Sequence, residues 1–319
     1  MERMLKPMEK QTKRARIEEV FEQFSSGMVA GDISSTEGLL SDNVRLSFSN
    51  IGDLEGKQEV IKGLSNPIFS KSIVKHFISN NYTATKGNIG KQSAYLTGFV
   101  VDTLEKDNQE AWFGGYFTNS YEFTEEGWKI ADLRFELDWL IGSNPGIKHW
   151  KEPRRTIGWS PNMTLPKIIS ELDSPWRVIP KSDELGSDEE QILDAYTQYA
   201  WATDHDIGLM KDLFTEKLEA NLVPIGKIDN KRELMSAIST FRSGIVSSHH
   251  AIGDYEIEVN GDVANMKIYR RTPVHITEDT INRDFFSATY DCSLRKIEGK
   301  WKFEKFFYTE GNIFERVKI

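Results

Sequence analysis

The 319-residue sequence has one cysteine, Cys292, and no apolar run long enough to cross a membrane. A single cysteine excludes an internal disulfide and a zinc site built from cysteine ligands. A membrane-spanning helix needs roughly 18 or more consecutive apolar residues. The basic segment 1–16 also lacks the apolar stretch of a secretory signal. These absences predict a cytoplasmic protein with no membrane partner.

The sequence also lacks an excess of positive charge. Its 40 Lys and Arg residues face 49 Asp and Glu residues, which gives a formal net charge of −9. This balance argues against nucleic-acid binding through a phosphate-neutralising surface. No glycine-rich phosphate loop, dinucleotide fingerprint or HExxH motif occurs in the sequence. We therefore expect no cofactor and no metal.

What the sequence does contain is an internal repeat. Residues 51–64 read IGDLEGKQEVIKGL, and residues 225–238 read IGKIDNKRELMSAI, at an offset of 174 residues. The same offset matches His76 with His250 and Gly87 with Gly261. Solenoid repeats are about 20–45 residues long, so this period indicates a duplicated domain.

Each copy begins with helical periodicity and ends with period-two alternation. In the second copy Ile192, Tyr196 and Tyr199 recur at helical spacing. A short helix is predicted at Leu209–Phe214, after Asp206 as its N-cap. A third helix is predicted at Lys231–Phe241. Helices followed by antiparallel strands indicate the α+β class. The predicted strands are His250–Val259, Val263–Arg271, Phe285–Ile297 and Lys300–Thr309.

These patterns predict two domains, at 15–140 and 188–319. The segment between them, 141–187, contains six prolines and three tryptophans. Prolines disfavour regular elements, whereas the tryptophans argue against a loose linker. We expect an ordered strap that packs along one or both domains.

Several short motifs resemble SnoaL-like proteins of the nuclear transport factor two-like superfamily. They are HAIGD at 250–254, VNGD at 259–262 and GKWKF at 299–303. In the first copy, FTNSY at 117–121 and GWKI at 127–130 are similar to hexachlorocyclohexane dehydrochlorinase, and the His-x-Ile-Gly pattern is similar to scytalone dehydratase. The resemblance implies two tandem cone-shaped α+β barrels, with helices packed on a curved, mainly antiparallel sheet.

The same resemblance implies an Asp–His pair inside the cone. Its positions here are Asp204, at the end of the first helix, and His250, on the first strand, and these are the candidate catalytic residues. A carboxylate that accepts the imidazole Nδ1–H fixes the tautomer and stabilises the imidazolium formed on proton abstraction. The first copy keeps His76 but has Ala30 where Asp204 stands. The alternative is a hydrogen-bonded wall histidine and a solvated carboxylate.

Further polar side chains could polarise a carbonyl or protonate a leaving group, although each also suits an ordinary position in a sheet or helix. His249 should face away from His250, because side chains alternate along a strand. The candidate substrate-binding residues are Tyr199, Tyr290, Tyr308, His275 and Arg270.

Two functions from different classes fit these features. The first is a cofactor-independent lyase or isomerase, of the dehydratase, dehydrohalogenase or polyketide cyclase-like type, that abstracts a proton from a small hydrophobic substrate. The alternative is a non-catalytic small-ligand-binding or protein-interaction module. Relatives of this fold often pair through the outer faces of their sheets. We therefore expect an intramolecular pseudo-dimer, with a further homodimer as an option.

Overall fold

The computed structural model describes residues 11–102, 109–153, 165–223, 225–242, 249–273 and 285–314. In these residues the chain forms two units with the same order of elements. The helices are α1 (Lys13–Ala30), α2 (Lys57–Leu64), α3 (Ser170–Asp173), α4 (Pro175–Val178), α5 (Asp188–Asp204) and α6 (Lys231–Arg242). The strands are β1 (Leu40–Phe48), β2 (Gly52–Glu55), β3 (Ile73–Lys86), β4 (Ile89–Val101), β5 (Glu110–Thr124), β6 (Gly127–Gly142), β7 (Phe214–Leu222), β8 (Gly226–Ile228), β9 (Ile252–Asn260), β10 (Val263–Pro273), β11 (Phe285–Ile297) and β12 (Lys300–Phe314).

Each unit is built on one six-stranded sheet. The strand orders are β2-β1-β6-β5-β4-β3 and β8-β7-β12-β11-β10-β9. The β1–β6 and β7–β12 pairs are parallel, and the other neighbours are antiparallel. Helices on two six-stranded, mainly antiparallel sheets confirm the expected tandem α+β cone fold, and both sheets are open. The edge strands β2 and β8 have only four and three residues, too few to close a sheet against the long strand at its opposite edge.

The two units repeat one another in register as well as in order. Ile78 of β3 lies opposite Leu96, and Ile252 of β9 lies opposite Arg270. Ile78 and Ile252 are 174 residues apart, and so are Leu96 and Arg270, which is the offset of the sequence repeat. The predicted duplication of an α+β unit is therefore confirmed.

One predicted helix is wrong in type and length. The segment predicted as Leu209–Phe214 is a 3-10 helix at Ile207–Met210, and Phe214 already begins β7. The expected cap is confirmed, since the Asp206 carboxylate accepts the Gly208 N–H. Strands β7 and β8 were not predicted, because β7 owes its place to parallel pairing with the distant β12.

Helix α5 is buried on two sides. One side packs on its own sheet through Tyr199, and the other presents Trp201 to Tyr95 and Tyr116 on the outer face of the first sheet. At this contact the first sheet packs against a helix of the second unit, and the expected pairing through the outer faces of the sheets stays a prediction. The aromatic side chains on the outward side of α5 explain this arrangement. Pairing with a second copy of the chain stays a prediction.

The connecting segment contacts both units. Trp150 packs edge-on against Phe113, with ring centroids 5.0 Å apart. Trp176 of α4 stacks on Tyr82 of the first unit at 4.6 Å. The third tryptophan, Trp159, lies outside the described residues. The tryptophans that are described thus fix the segment to the first sheet.

Candidate active site

A buried carboxylate at the end of α5 forms the centre of the site. Asp204 Oδ1 lies 2.6 Å from His250 Nδ1, and Asp204 Oδ2 accepts the His250 backbone N–H at 2.8 Å. Oδ2 also accepts the Tyr95 hydroxyl at 2.7 Å. An ionised carboxylate carries no proton, so the hydrogen of this Nδ1 contact belongs to the imidazole. The neutral His250 tautomer then has its lone pair on Nε2.

The two units differ at the end of their first helix. Ala30 is exposed at the end of α1, whereas Asp204 is buried. Gly31 ends α1 with a φ of 76° in the left-handed region, where glycine is favoured. Its repeat counterpart, His205, has a φ of −133° and packs between the units against Trp201. The sequence difference thus gives the second unit alone a buried carboxylate at this position.

Burial and neighbouring charges set the protonation states of the pair. Burial would raise the pKa of Asp204, but the attraction and hydrogen bond of His250, with His205 and Arg242 nearby, hold it well below its usual value. Burial and the charge of Arg270 lower the pKa of His250 to about 4, against the opposing effect of Asp204. Near neutral pH the site therefore holds a carboxylate and a neutral imidazole.

These shifts predict that acid destabilises the fold through His250. Its folded pKa of about 4 lies below the unfolded value of 6.5, so its contribution to stability is present above pH 6.5 and is lost as pH falls toward 4. At pH 5 the loss is about 2 kcal/mol. When the pH is lowered from 7.5 to 5.0, the free energy of unfolding of His250→Gln should therefore rise by about 2 kcal/mol relative to that of wild type. Urea denaturation at the two pH values measures both proteins.

The comparison with wild type cancels the titrating groups other than Asp204, whose pKa depends on His250. Burial also lowers the pKa of His205 to about 4, which adds to the acid loss. Burial raises the pKa of Glu136 to about 7, which acts with the opposite sign. Both contributions are common to the two proteins. If the unfolding free energies of the variant and of wild type differed by the same amount at pH 7.5 and at pH 5.0, the pKa assigned to His250 would be wrong.

Around His250 lie aromatic side chains and the half-buried cation of Arg270. Tyr199 packs edge-on to the His250 ring, with centroids 6.1 Å apart. Tyr290 contacts Tyr199 and Tyr308 at 5.9 and 5.2 Å. Burial raises the pKa of Tyr290, while the Arg270 charge and hydrogen bonds from Tyr199 and Arg270 oppose part of that rise. The arrangement can stabilise negative charge beside an imidazole base.

The sequence-derived candidates are largely brought together. Asp204, Tyr199, Tyr290 and Arg270 all lie around His250, and Tyr308 adjoins through Tyr290; His275 lies outside the described residues. His249, like His250, precedes β9, so the strand alternation expected for this pair does not apply. Its ring stacks on Tyr95 at 4.8 Å, at the contact between the units.

Sequence reasoning missed the residues that the first unit contributes. Tyr95 bonds to Asp204, and Asn80 bonds to the backbone on both sides of Ala251. The repeat offset matches Tyr95 with another tyrosine, Tyr269, so a comparison of the two copies did not single out Tyr95. Arg242, which donates to the Asp204 carbonyl oxygen, was also missed. The packing of the two units identifies the contacts of Tyr95 and Asn80, whereas Arg242 belongs to α6 of the second unit itself.

The family model described as SnoaL-like domain matches residues 9–134 and again residues 186–306. The chain belongs to this family. No curated protein matches the sequence. Solved structures that resemble one SnoaL-like domain of the chain include a candidate aromatic ring hydroxylase from Novosphingobium aromaticivorans, which is 18% identical, with a TM-score of 0.37 over 43% of this chain and 96% of that one.

Two further structures are similar to a comparable extent. A candidate scytalone dehydratase from Novosphingobium aromaticivorans is 12% identical, with a TM-score of 0.36 over 40% of this chain and 86% of its own. Hexachlorocyclohexane dehydrochlorinase LinA-type3 from Novosphingobium barchaimii is 15% identical, with a TM-score of 0.35 over 41% and 90%.

The first SnoaL-like domain has a cavity of its own, of about 90 Å³. His76 lines it, and burial lowers the pKa of this imidazole. Asn50 also lines the cavity, and its buried Oδ1 has no hydrogen-bond partner in the described part of the chain. The rest of the lining is mostly apolar and includes Phe48, Val74, Leu96, Phe113, Phe117, Phe135 and Trp150.

Within the described ranges, no helix has the length and apolar character needed to cross a membrane. In the same residues, no group of three or more histidine, cysteine or acidic side chains is placed to hold a metal ion.

Proposed function

We propose that the second SnoaL-like domain is a cofactor-independent lyase or isomerase in which His250 removes a proton from a small hydrophobic substrate. The 2.6 Å contact between His250 Nδ1 and Asp204 Oδ1 carries this proposal. It leaves the Nε2 lone pair as the basic site and places a negative charge where the imidazolium will form. General-base catalysis by such a group typically contributes about 10²–10⁴ in rate.

The reaction begins when a C–H bond of the substrate breaks and its proton moves to His250 Nε2. The electron pair left behind is delocalised onto a carbonyl oxygen or forms a double bond as a leaving group departs with its own pair. The cation of Arg270 and the hydroxyl of Tyr290 are the groups that stabilise the developing negative charge. The imidazolium then returns its proton to the leaving group, to another carbon or to solvent. Elimination and isomerisation share this first step.

The first step can be tested without knowledge of the natural substrate. The panel consists of cyclic ketones that carry a β-hydroxyl or β-halogen substituent, incubated with the full chain in D₂O. We expect loss of the acidic C–H signal by proton NMR, with elimination product where the leaving group permits. The exchange should disappear in His250→Gln. Equal exchange in both proteins would refute His250 as the base.

A small-ligand-binding module is the second candidate, and one observation favours it. Asn50 lines the first cavity, and its unpartnered Oδ1 is a costly arrangement, because a buried polar atom without a partner destabilises by about 1–3 kcal/mol. A neutral molecule that is mostly apolar and carries one hydrogen-bond donor would satisfy it. Saturable binding across the panel without any exchange would favour this function over catalysis.

A further inference from the structure

We infer that the first SnoaL-like domain positions the base of the second one, with Tyr95 and Asn80 as its positioning residues. The inference deepens the proposed function, since it concerns the same Asp204–His250 pair. It assigns to the first domain a role that its own cavity does not require. Three contacts, each from a nearly fully buried side chain, support it.

Tyr95 fixes the carboxylate. It lies on β4, on the outer face of the first sheet, and is 1% exposed. Its hydroxyl donates to Asp204 Oδ2 at 2.7 Å, and its oxygen lies 3.2 Å from His205 Nε2. Oδ1 is held by the imidazole of His250. Because both carboxylate oxygens are bound, Asp204 cannot rotate without breaking a buried hydrogen bond.

Asn80 fixes the backbone that carries the base. Its Nδ2 donates to the His250 carbonyl oxygen at 3.0 Å, and its Oδ1 accepts the Ile252 N–H at 2.9 Å. Asn80 sits at an irregularity of β3 with a φ of 49°, a left-handed conformation that costs free energy for any residue but glycine. Such residues persist where the surrounding structure holds them, often at functional sites.

The two hydrogen bonds of Asn80 matter because His76 and His250 lie at different places relative to their strands. His76 is inside β3, where the ladder pairs it with Gly98. His250 precedes β9, which begins at Ile252, so the ladder of the second sheet does not hold it. The two bonds of Asn80 take the place of that ladder. The first domain therefore restrains the imidazole through its backbone and through its carboxylate partner.

Tyr95→Phe tests the inference, with Tyr82→Phe as the matched control. Tyr82 lies on the same outer face and stacks on Trp176, away from Asp204. Loss of the Tyr95 hydrogen bond leaves Asp204 a stronger acceptor, so the pKa of His250 should rise. Arg270 and Arg242 stay in place around it, whereas His205 Nε2 loses its contact with the Tyr95 oxygen. A higher pKa would by itself make His250 a stronger base. The loss of kcat that we expect, roughly 10–100-fold for a hydrogen bond to a charged group, therefore reports lost positioning of Asp204 and His250.

The primary measurement is the His250 ring titration by NMR in the full-length chain labelled at histidine, assigned by comparison with His250→Gln. A raised pKa in Tyr95→Phe and an unchanged one in Tyr82→Phe support the inference. If His250 has the same pKa in wild type and in a folded Tyr95→Phe protein, the inference is overturned. This readout needs no substrate, so it is separate from the proposed function, which fails instead when His250→Gln retains proton exchange.

Asn80→Gly gives an independent second variant. Glycine keeps the left-handed backbone and removes only the carboxamide. Amide exchange at Ile252 should become faster and kcat should fall with KM little changed. The neighbouring Asn81→Gly is the control, since its side chain bonds to Gln92 within the first domain. Unchanged exchange at Ile252 would overturn the role of Asn80.

Discussion

His250→Ala should lower turnover by the second SnoaL-like domain roughly 10²–10⁴-fold while the chain stays folded. The substitution removes the Nε2 lone pair, and no other described side chain shares the Asp204 Oδ1 contact that makes His250 basic. Asp204 still accepts the backbone N–H of residue 250 and the Tyr95 hydroxyl, so the buried charge keeps two donors. Steady-state kinetics on a substrate from the exchange panel gives the ratio.

His76→Ala is the matched substitution in the first domain. There the helix end has the exposed Ala30 in place of a buried carboxylate, so the imidazole has no equivalent partner and turnover should change little. Similar losses for the two substitutions would place chemistry in both domains. Full activity of His250→Ala would end the proposal of a base in the second domain.

Asp204→Asn should cost nearly as much as loss of the histidine, by forcing the wrong tautomer. The Oδ2 position receives two donors, from Tyr95 and from the His250 backbone, so the amide oxygen must stay there. The amide nitrogen then faces His250 Nδ1 and donates to it. The ring proton moves to Nε2, where the base should be. A comparable tautomer change in a serine protease triad lowers kcat about 10⁴-fold.

Nitrogen NMR of the imidazole checks this explanation directly, because protonated and unprotonated ring nitrogens have well-separated chemical shifts. Wild type should show protonated Nδ1, and Asp204→Asn should show protonated Nε2. Asp254→Asn, on exposed β9, is a control with the same chemical change. If Asp204→Asn lost activity with the wild-type tautomer retained, the carboxylate would act by charge alone.

The repeat, the α+β class and the family were all accessible from sequence, because they depend on local patterning and on self-similarity. Helix α5 begins at Asp188 and contains the helical spacing that predicted it, with Ser187 and Glu190 forming a capping box. The parallel strands β1 and β7 were not accessible. Each pairs with a strand far along the chain, and local periodicity contains no information about that partner.

Asp204 and His250 could be named from sequence because the family resemblance and the repeat comparison single them out. Arg270 was one of several equivalent polar positions until the register placed it opposite Ile252. Tyr95 and Asn80 could not be found in this way. Their importance arises where the outer face of one sheet meets the helix of another domain, and such a contact leaves no periodic signal in the chain.

The two-sided burial of α5 also bears on how the copies diverged after duplication. Because Tyr95 on the outer face of the first sheet bonds to the carboxylate at the end of α5, the two copies are no longer interchangeable. Exchanging the copies along the chain would put Tyr269 and Gly31 where Tyr95 and His205 now meet. The order of the two copies along the chain therefore matters, and under the proposed function the first copy supports the site that the second one carries.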